Sequence, residues 1–168
     1  MTAEEEMAAL RRHWLIIGQV AQMSATAELH LRQLMVGLLD SQYAQIVAAG
    51  LAITELIDTC SALAKANRDM GDEERTEILG LLSELKGLLP LRNHLVHGLW
   101  IPYGDVHIGP EVAPMALISK RRTEMKTIPI AYETAQAIAD DLNRVGRSIF
   151  NWTIKVLLTQ INREQVGL

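Results

Sequence analysis

The chain has 168 residues and a net charge of -4, and it is 49% hydrophobic but only 4% aromatic. That is long enough for a single domain, 1–168, with its own core, and too apolar for disorder. The negative balance excludes attraction of nucleic acid by the protein's overall field, so any polyanion site must be a local basic pocket.

One cysteine, Cys60, excludes an internal disulfide framework. Abundant Ala and Leu with few aromatics favour helices over strands. No apolar run approaches the length of a membrane span. The opening, MTAEEEMAAL, is acidic where a secretory signal would be basic, so a cytoplasmic protein with no membrane association is expected.

The first periodic segment runs from about Glu4 to Leu39. Leu10, Trp14, Ile17, Ala21, Ser24, Glu28, Leu31, Met35 and Leu38 alternate by fours and threes, which predicts a helix seam. A second stripe, Ile16, Val20, Met23, Ala27 and Leu34, lies beside it, and a face this wide predicts burial against more than one neighbour. Glu28 is the one seam member that is wrong for a core. Asp40 or Ser41 offers a cap for a second helix in two pieces around Gly50. Ile53, Ile57, Cys60 and Ala64 line one face of that helix, with Leu56 and Leu63 alongside.

A turn at Gly71 with a cap at Asp72 opens the third long helix. Its seam is Ile78, Leu82, Leu85, Leu89, Arg92 and Val96, with Pro90 expected to kink or break it and Gly98 to stop it. From Trp100 to Ile130 the texture changes. Four of the five prolines fall here, with short β-type runs, ALIS and KTIPI, so a loop with a two- or three-stranded excursion is predicted. The last helix, about Tyr132 to Arg163, has the seam Ala135, Ile138, Leu142, Val145, Ile149, Trp152 and Val156. The expected fold is an all-α bundle of four to five helices with a small β-hairpin or loop insertion at about 100–130.

The chemistry concentrates in LPLRNHLVHGLW, where Arg92, Asn93, His94 and His97 end a greasy helix. Arg92 to His97 reads R-N-x-x-x-H and is followed by HGLW. This resembles the signature of the HEPN family, helical bundles found in many prokaryotic ribonucleases and toxins. The resemblance covers Leu10 to Leu99 and the final helix, and leaves 100–130 as a local insertion. It implies a metal-independent endoribonuclease, a toxin or phage-defence effector, with a composite site at a homodimer interface. RNA is then the substrate, a nucleotidyltransferase-type antitoxin the expected protein partner, and no cofactor is needed.

The residues also make chemical sense by themselves. Five helical steps leave Arg92 and His97 about 140° apart, whereas Asn93 and His97 lie one turn apart. Each copy supplies one side chain that exchanges protons near neutral pH and one fixed cation. Cleaving RNA needs the 2′-hydroxyl deprotonated, the phosphorane charge stabilised and the 5′-oxygen protonated, and a two-fold dimer would bring two His and two Arg together. The broad apolar face of the first helix is a further reason to expect a homodimer.

The catalytic candidates are therefore Arg92, His97 and Asn93, with His94 on the rim of the cleft. Glu28 and Arg92 occupy seam positions otherwise apolar, and a buried carboxylate and a buried guanidinium each need a partner. A cross-bundle Glu28–Arg92 pair follows as an expectation.

Plainer readings compete. Asn93 could cap a helix end, His97 suits a helix C-terminus whatever else it does, and Glu28–Arg92 could be only a staple. His94 and His97 form H-x-x-H, but two ligands are too few for zinc, so no metal site is assigned. His13, His30 and His107 are isolated, and Arg11, Arg12 and Lys120 to Arg122 read as solvated charge. A HEPN-type nucleotide- or RNA-binding module and a purely structural helical homodimer are the alternatives to the enzyme.

Overall fold

The computed structural model describes residues 3–98, 116–117, 126–127 and 130–158. Its described helices are α1 (Ala3–Leu39), α2 (Ala44–Ala49), α3 (Ile53–Ala66), α4 (Asp72–His97) and α5 (Tyr132–Thr153), the last continued by a π-helical turn at Ile154–Leu158. The fold is the expected all-α bundle. Two-residue strands, β1 (Ala116–Leu117) and β2 (Lys126–Thr127), pair antiparallel with Ala116 opposite Thr127, inside the runs ALIS and KTIPI. His107, Lys120 to Arg122 and the expected helical end at 159–163 lie outside the described residues. No helix among the described residues is long and apolar enough to cross a membrane.

Contacts divide the chain into two compact units, and α1, α4 and α5 each contribute a segment to both. The first unit comprises Met1–Ser24 with Leu88–Asp141, and the second Ala25–Gly87 with Leu142–Leu168.

In the first unit, Ile16 and Val20 of α1, Leu89 and Leu95 of α4, and Ala135, Ile138 and Ala139 of α5 are buried, with Ile130 just before α5. In the second, α1 contributes Ala27, Leu31, Leu34 and Met35. Buried Leu56, Ile57, Cys60 and Ala64 belong to α3, Ile78, Leu82 and Leu85 to α4, and Leu142, Val145, Ile149 and Trp152 to α5. Each large apolar side chain so placed is worth about 1.5–3 kcal/mol of transfer free energy. The predicted α5 seam is buried at every position, from Ala135 to Val156.

On α1 the buried stripe is Ile16, Val20, Ser24, Ala27, Leu31 and Leu34, again by fours and threes. The core thus draws on both predicted stripes, with Ser24, Leu31 and Met35 from the seam and Ile16, Val20, Ala27 and Leu34 from the stripe beside it, and its centre is rotated from the seam towards the second stripe. Trp14 is 61% exposed and Ile17, Ala21 and Glu28 are half-buried. Two adjacent apolar stripes carried the same period, so periodicity could not say which members of each faced the core.

The helix ends differ from expectation in detail. Asp40 does not cap α2. It ends α1 in the left-handed region at φ 43°, its N–H donating to the Val36 carbonyl at 3.2 Å. Ser41 Oγ accepts from the Tyr43 N–H at 3.3 Å, before α2 begins at Ala44. Asp72 is the first residue of α4 rather than its cap. Gly71 precedes it, and the Gly71 N–H donates to Glu74 Oε2 at 3.1 Å. Pro90 does not break α4, which runs on to His97 and stops where the Gly98 N–H donates to the His94 carbonyl at 3.0 Å. The break at Gly50, with α2 before it and α3 after it, is as expected.

Candidate functional site

The last two turns of α4 carry the motif, all of it in the first unit. Leu89 and Leu95 are buried and fix the rotation of this end of the helix, which sets the exposure of the polar residues between them. Arg92 and His94 are half-buried, and Asn93 and His97 are exposed.

Arg92 reaches α1. Its Nε–H donates to Ser24 Oγ at 2.6 Å, and its Nη1 donates to Asn93 Oδ1 at 2.8 Å. A guanidinium bonded through Nε and through one Nη is held in plane as well as in position, because its donors form a rigid fork. Ser24 is completely buried in the α1 stripe, with a relative exposure of 0%. A lone hydroxyl in an apolar stripe costs free energy unless it is bonded, and Arg92 supplies that bond.

The motif residues are therefore grouped as Arg92–Asn93–Ser24 with His97 one turn beyond Asn93. Asn93 spends its carbonyl oxygen on Arg92, where the spacing had aimed it at His97.

Glu28 is placed elsewhere. It belongs to the second unit and its Oε1 accepts from Arg32 Nη2 at 2.5 Å, one helical turn away on α1. The expected Glu28–Arg92 pair is corrected to Glu28–Arg32. Its premise of a buried carboxylate also fails, because the Glu28 side chain keeps 31% exposure. Rotation of the buried stripe moves Glu28 to the stripe's edge, where water shares its solvation.

Arg32 is a residue that sequence reasoning passed over. Besides Glu28, it donates through Nη1 to the Ala48 carbonyl and through Nη2 to the Leu51 carbonyl at 3.2 Å, tying the α2–α3 corner to α1. Arg75 does the same for the α3–α4 turn, donating to the Ala64, Asn67 and Met70 carbonyls at 3.3, 2.9 and 2.7 Å. Arg75 gave only the signal of a lone Arg beside a turn, and Arg32, inside α1, gave none.

His30 Nδ1 lies 2.9 Å from the Gly146 carbonyl and its ring stacks on Phe150 with centroids 4.8 Å apart, a structural setting consistent with its isolated reading. Burial pushes the Cys60 thiol up to about 12, so it is no nucleophile. Among the described residues no three His, Cys, Asp or Glu gather as metal ligands. A cavity of about 730 Å³ in the second unit is lined by Leu29, Arg32, Val36, Phe150 and Ile154 among others, and by none of the motif residues.

Comparison with known proteins finds no family model, no curated protein and no solved structure that matches the chain.

Proposed function

We propose that the chain is a metal-independent endoribonuclease of HEPN type, acting as a homodimer in the cytoplasm. The observation that carries the reading is an arginine bonded through Nε to Ser24 and through Nη1 to Asn93, with an exposed His97 five residues on at the end of the same helix. A fixed cation and a solvent-facing imidazole are the two groups that phosphodiester cleavage requires, one to stabilise charge and one to carry a proton, and a two-fold dimer would bring them together.

In this mechanism His97 of one copy removes the 2′-hydroxyl proton and the 2′-oxygen attacks the adjacent phosphorus. The bond to the 5′-oxygen breaks, and that oxygen takes a proton from the second copy's imidazole. Arg92 clamps the phosphate and stabilises its developing charge. The products are a 2′,3′-cyclic phosphate and a 5′-hydroxyl. A role as a toxin or defence effector, with a nucleotidyltransferase-type antitoxin, extends the same reading.

The test is incubation of the pure protein with RNA in the presence of EDTA. Cleavage to cyclic-phosphate ends should persist, His97→Ala should abolish turnover while keeping most RNA binding, and Arg92→Ala should weaken both. Full activity in His97→Ala, strict dependence on a divalent ion, or a strictly monomeric active species would refute the mechanism. The bonds of Arg92 to Ser24 and Asn93 also suit a staple within the bundle. RNA binding without cleavage on any substrate would therefore identify a binding module.

A further inference from the structure

We infer that Ser24 is the positioning residue for Arg92, a role that the R-N-x-x-x-H pattern does not contain. Ser24 lies 68 residues before Arg92 in the chain and is the one polar member of the buried α1 stripe, between Val20 and Ala27. Its hydroxyl oxygen is 2.6 Å from Arg92 Nε, a short contact of the kind made to a charged donor.

The choice of nitrogen matters. The Nε–H lies in the guanidinium plane at its root, so an acceptor there stops rotation about the last side-chain bond. Asn93 Oδ1 on Nη1 then fixes the remaining swing from the same helix. An arginine otherwise loses rotamer entropy when a ligand orders it. Here folding has already ordered it, as preorganised sites require.

An apolar residue at position 24 would leave the cation in place and its field on a phosphate almost unchanged. What it would remove is orientation. Loss of Ser24 should therefore reduce turnover more than binding, unlike loss of Arg92 itself.

The inference rests on the ribonuclease reading for its catalytic consequence, but not for its geometry, and the experiment separates the two. Ser24→Ala and the similarly sized Ser24→Cys, which offers only a weak acceptor, are compared with wild type in the full-length protein. The Arg92 side-chain Nε–H resonance should be protected from solvent exchange in wild type and exchange at least about tenfold faster in both variants. On an RNA substrate, kcat should fall about ten- to a hundredfold, the range expected for one bond to a charged group, with RNA affinity kept within about twofold. In an Arg92→Ala background, Ser24→Ala should cost no further activity. If wild type cleaves no RNA, the ribonuclease reading fails and the exchange measurement alone decides the positioning role. Unchanged Nε–H protection in the folded Ser24→Cys protein, or the same fold-loss of activity with and without Arg92, would overturn it.

Discussion

Gly146→Ala should destabilise the protein although it replaces a helical glycine by the best helix former. Gly146 is buried in α5, and a Cβ there would sit 3.2 Å from Ala27 Cβ and 3.3 Å from Ala27 Cα on α1. The second of these is backbone and has no rotamer to change. The Gly146 carbonyl also lies 2.9 Å from His30 Nδ1, so pushing α1 and α5 apart strains that hydrogen bond. Helix propensity favours alanine by about 0.8–1 kcal/mol. Overpacking costs about 1–3 kcal/mol, and a weakened hydrogen bond adds up to about 1 kcal/mol. The expected balance is a net loss of about 1–2 kcal/mol. Gly80→Ala on α4 is the internal control, because a Cβ there meets nothing within 4 Å. It should gain about 0.8 kcal/mol. Urea unfolding gives both numbers, and thermal midpoints should shift by about 2–4 °C per kcal/mol, in opposite directions. A Gly146→Ala protein as stable as Gly80→Ala would refute the close α1–α5 approach.

Three further outcomes are expected. Glu28→Gln should cost no more than about 1 kcal/mol in urea unfolding, since a half-exposed pair is screened, whereas Arg32→Ala should cost about 2–3 kcal/mol by also releasing the Ala48 and Leu51 carbonyls; equal losses would contradict this division. Asp40→Gly should stabilise by about 0.5–1 kcal/mol, because φ 43° strains any residue with a Cβ, and a loss of stability would show that the aspartate side chain has a role of its own. Cys60 should contribute a fall in stability at high pH. Its folded pKa is raised from 9.0 to about 12, so between those values the unfolded chain releases a proton that the folded one keeps, and the contribution present below pH 9 is lost as pH rises. Unfolding from pH 8 to 10.5 should show a shallower decline in Cys60→Ala than in wild type, and identical slopes would place the thiol in contact with water.

Secondary structure was legible because it is local. The α5 seam was readable to the residue because one apolar stripe stood alone against a polar face, and the strand pair fell within the two short β-type runs because prolines and glycines had already excluded helix there. The R-N-x-x-x-H cluster was visible for the same reason: its members lie within six residues on one helix. Rotation of α1 was decided only by packing. Two parallel apolar stripes satisfy the same period, and the choice between them depends on which side chains the neighbouring helices can accommodate. That rotation determines the partners. It kept Ser24, a seam member given no partner by the sequence, at full burial against Arg92, and it left Glu28 at an edge where Arg32, four residues on, pairs with it. A buried charge demands a partner, and sequence states that demand. Which residue meets it depends on distances of a few ångströms between helices, and only the tertiary structure sets those.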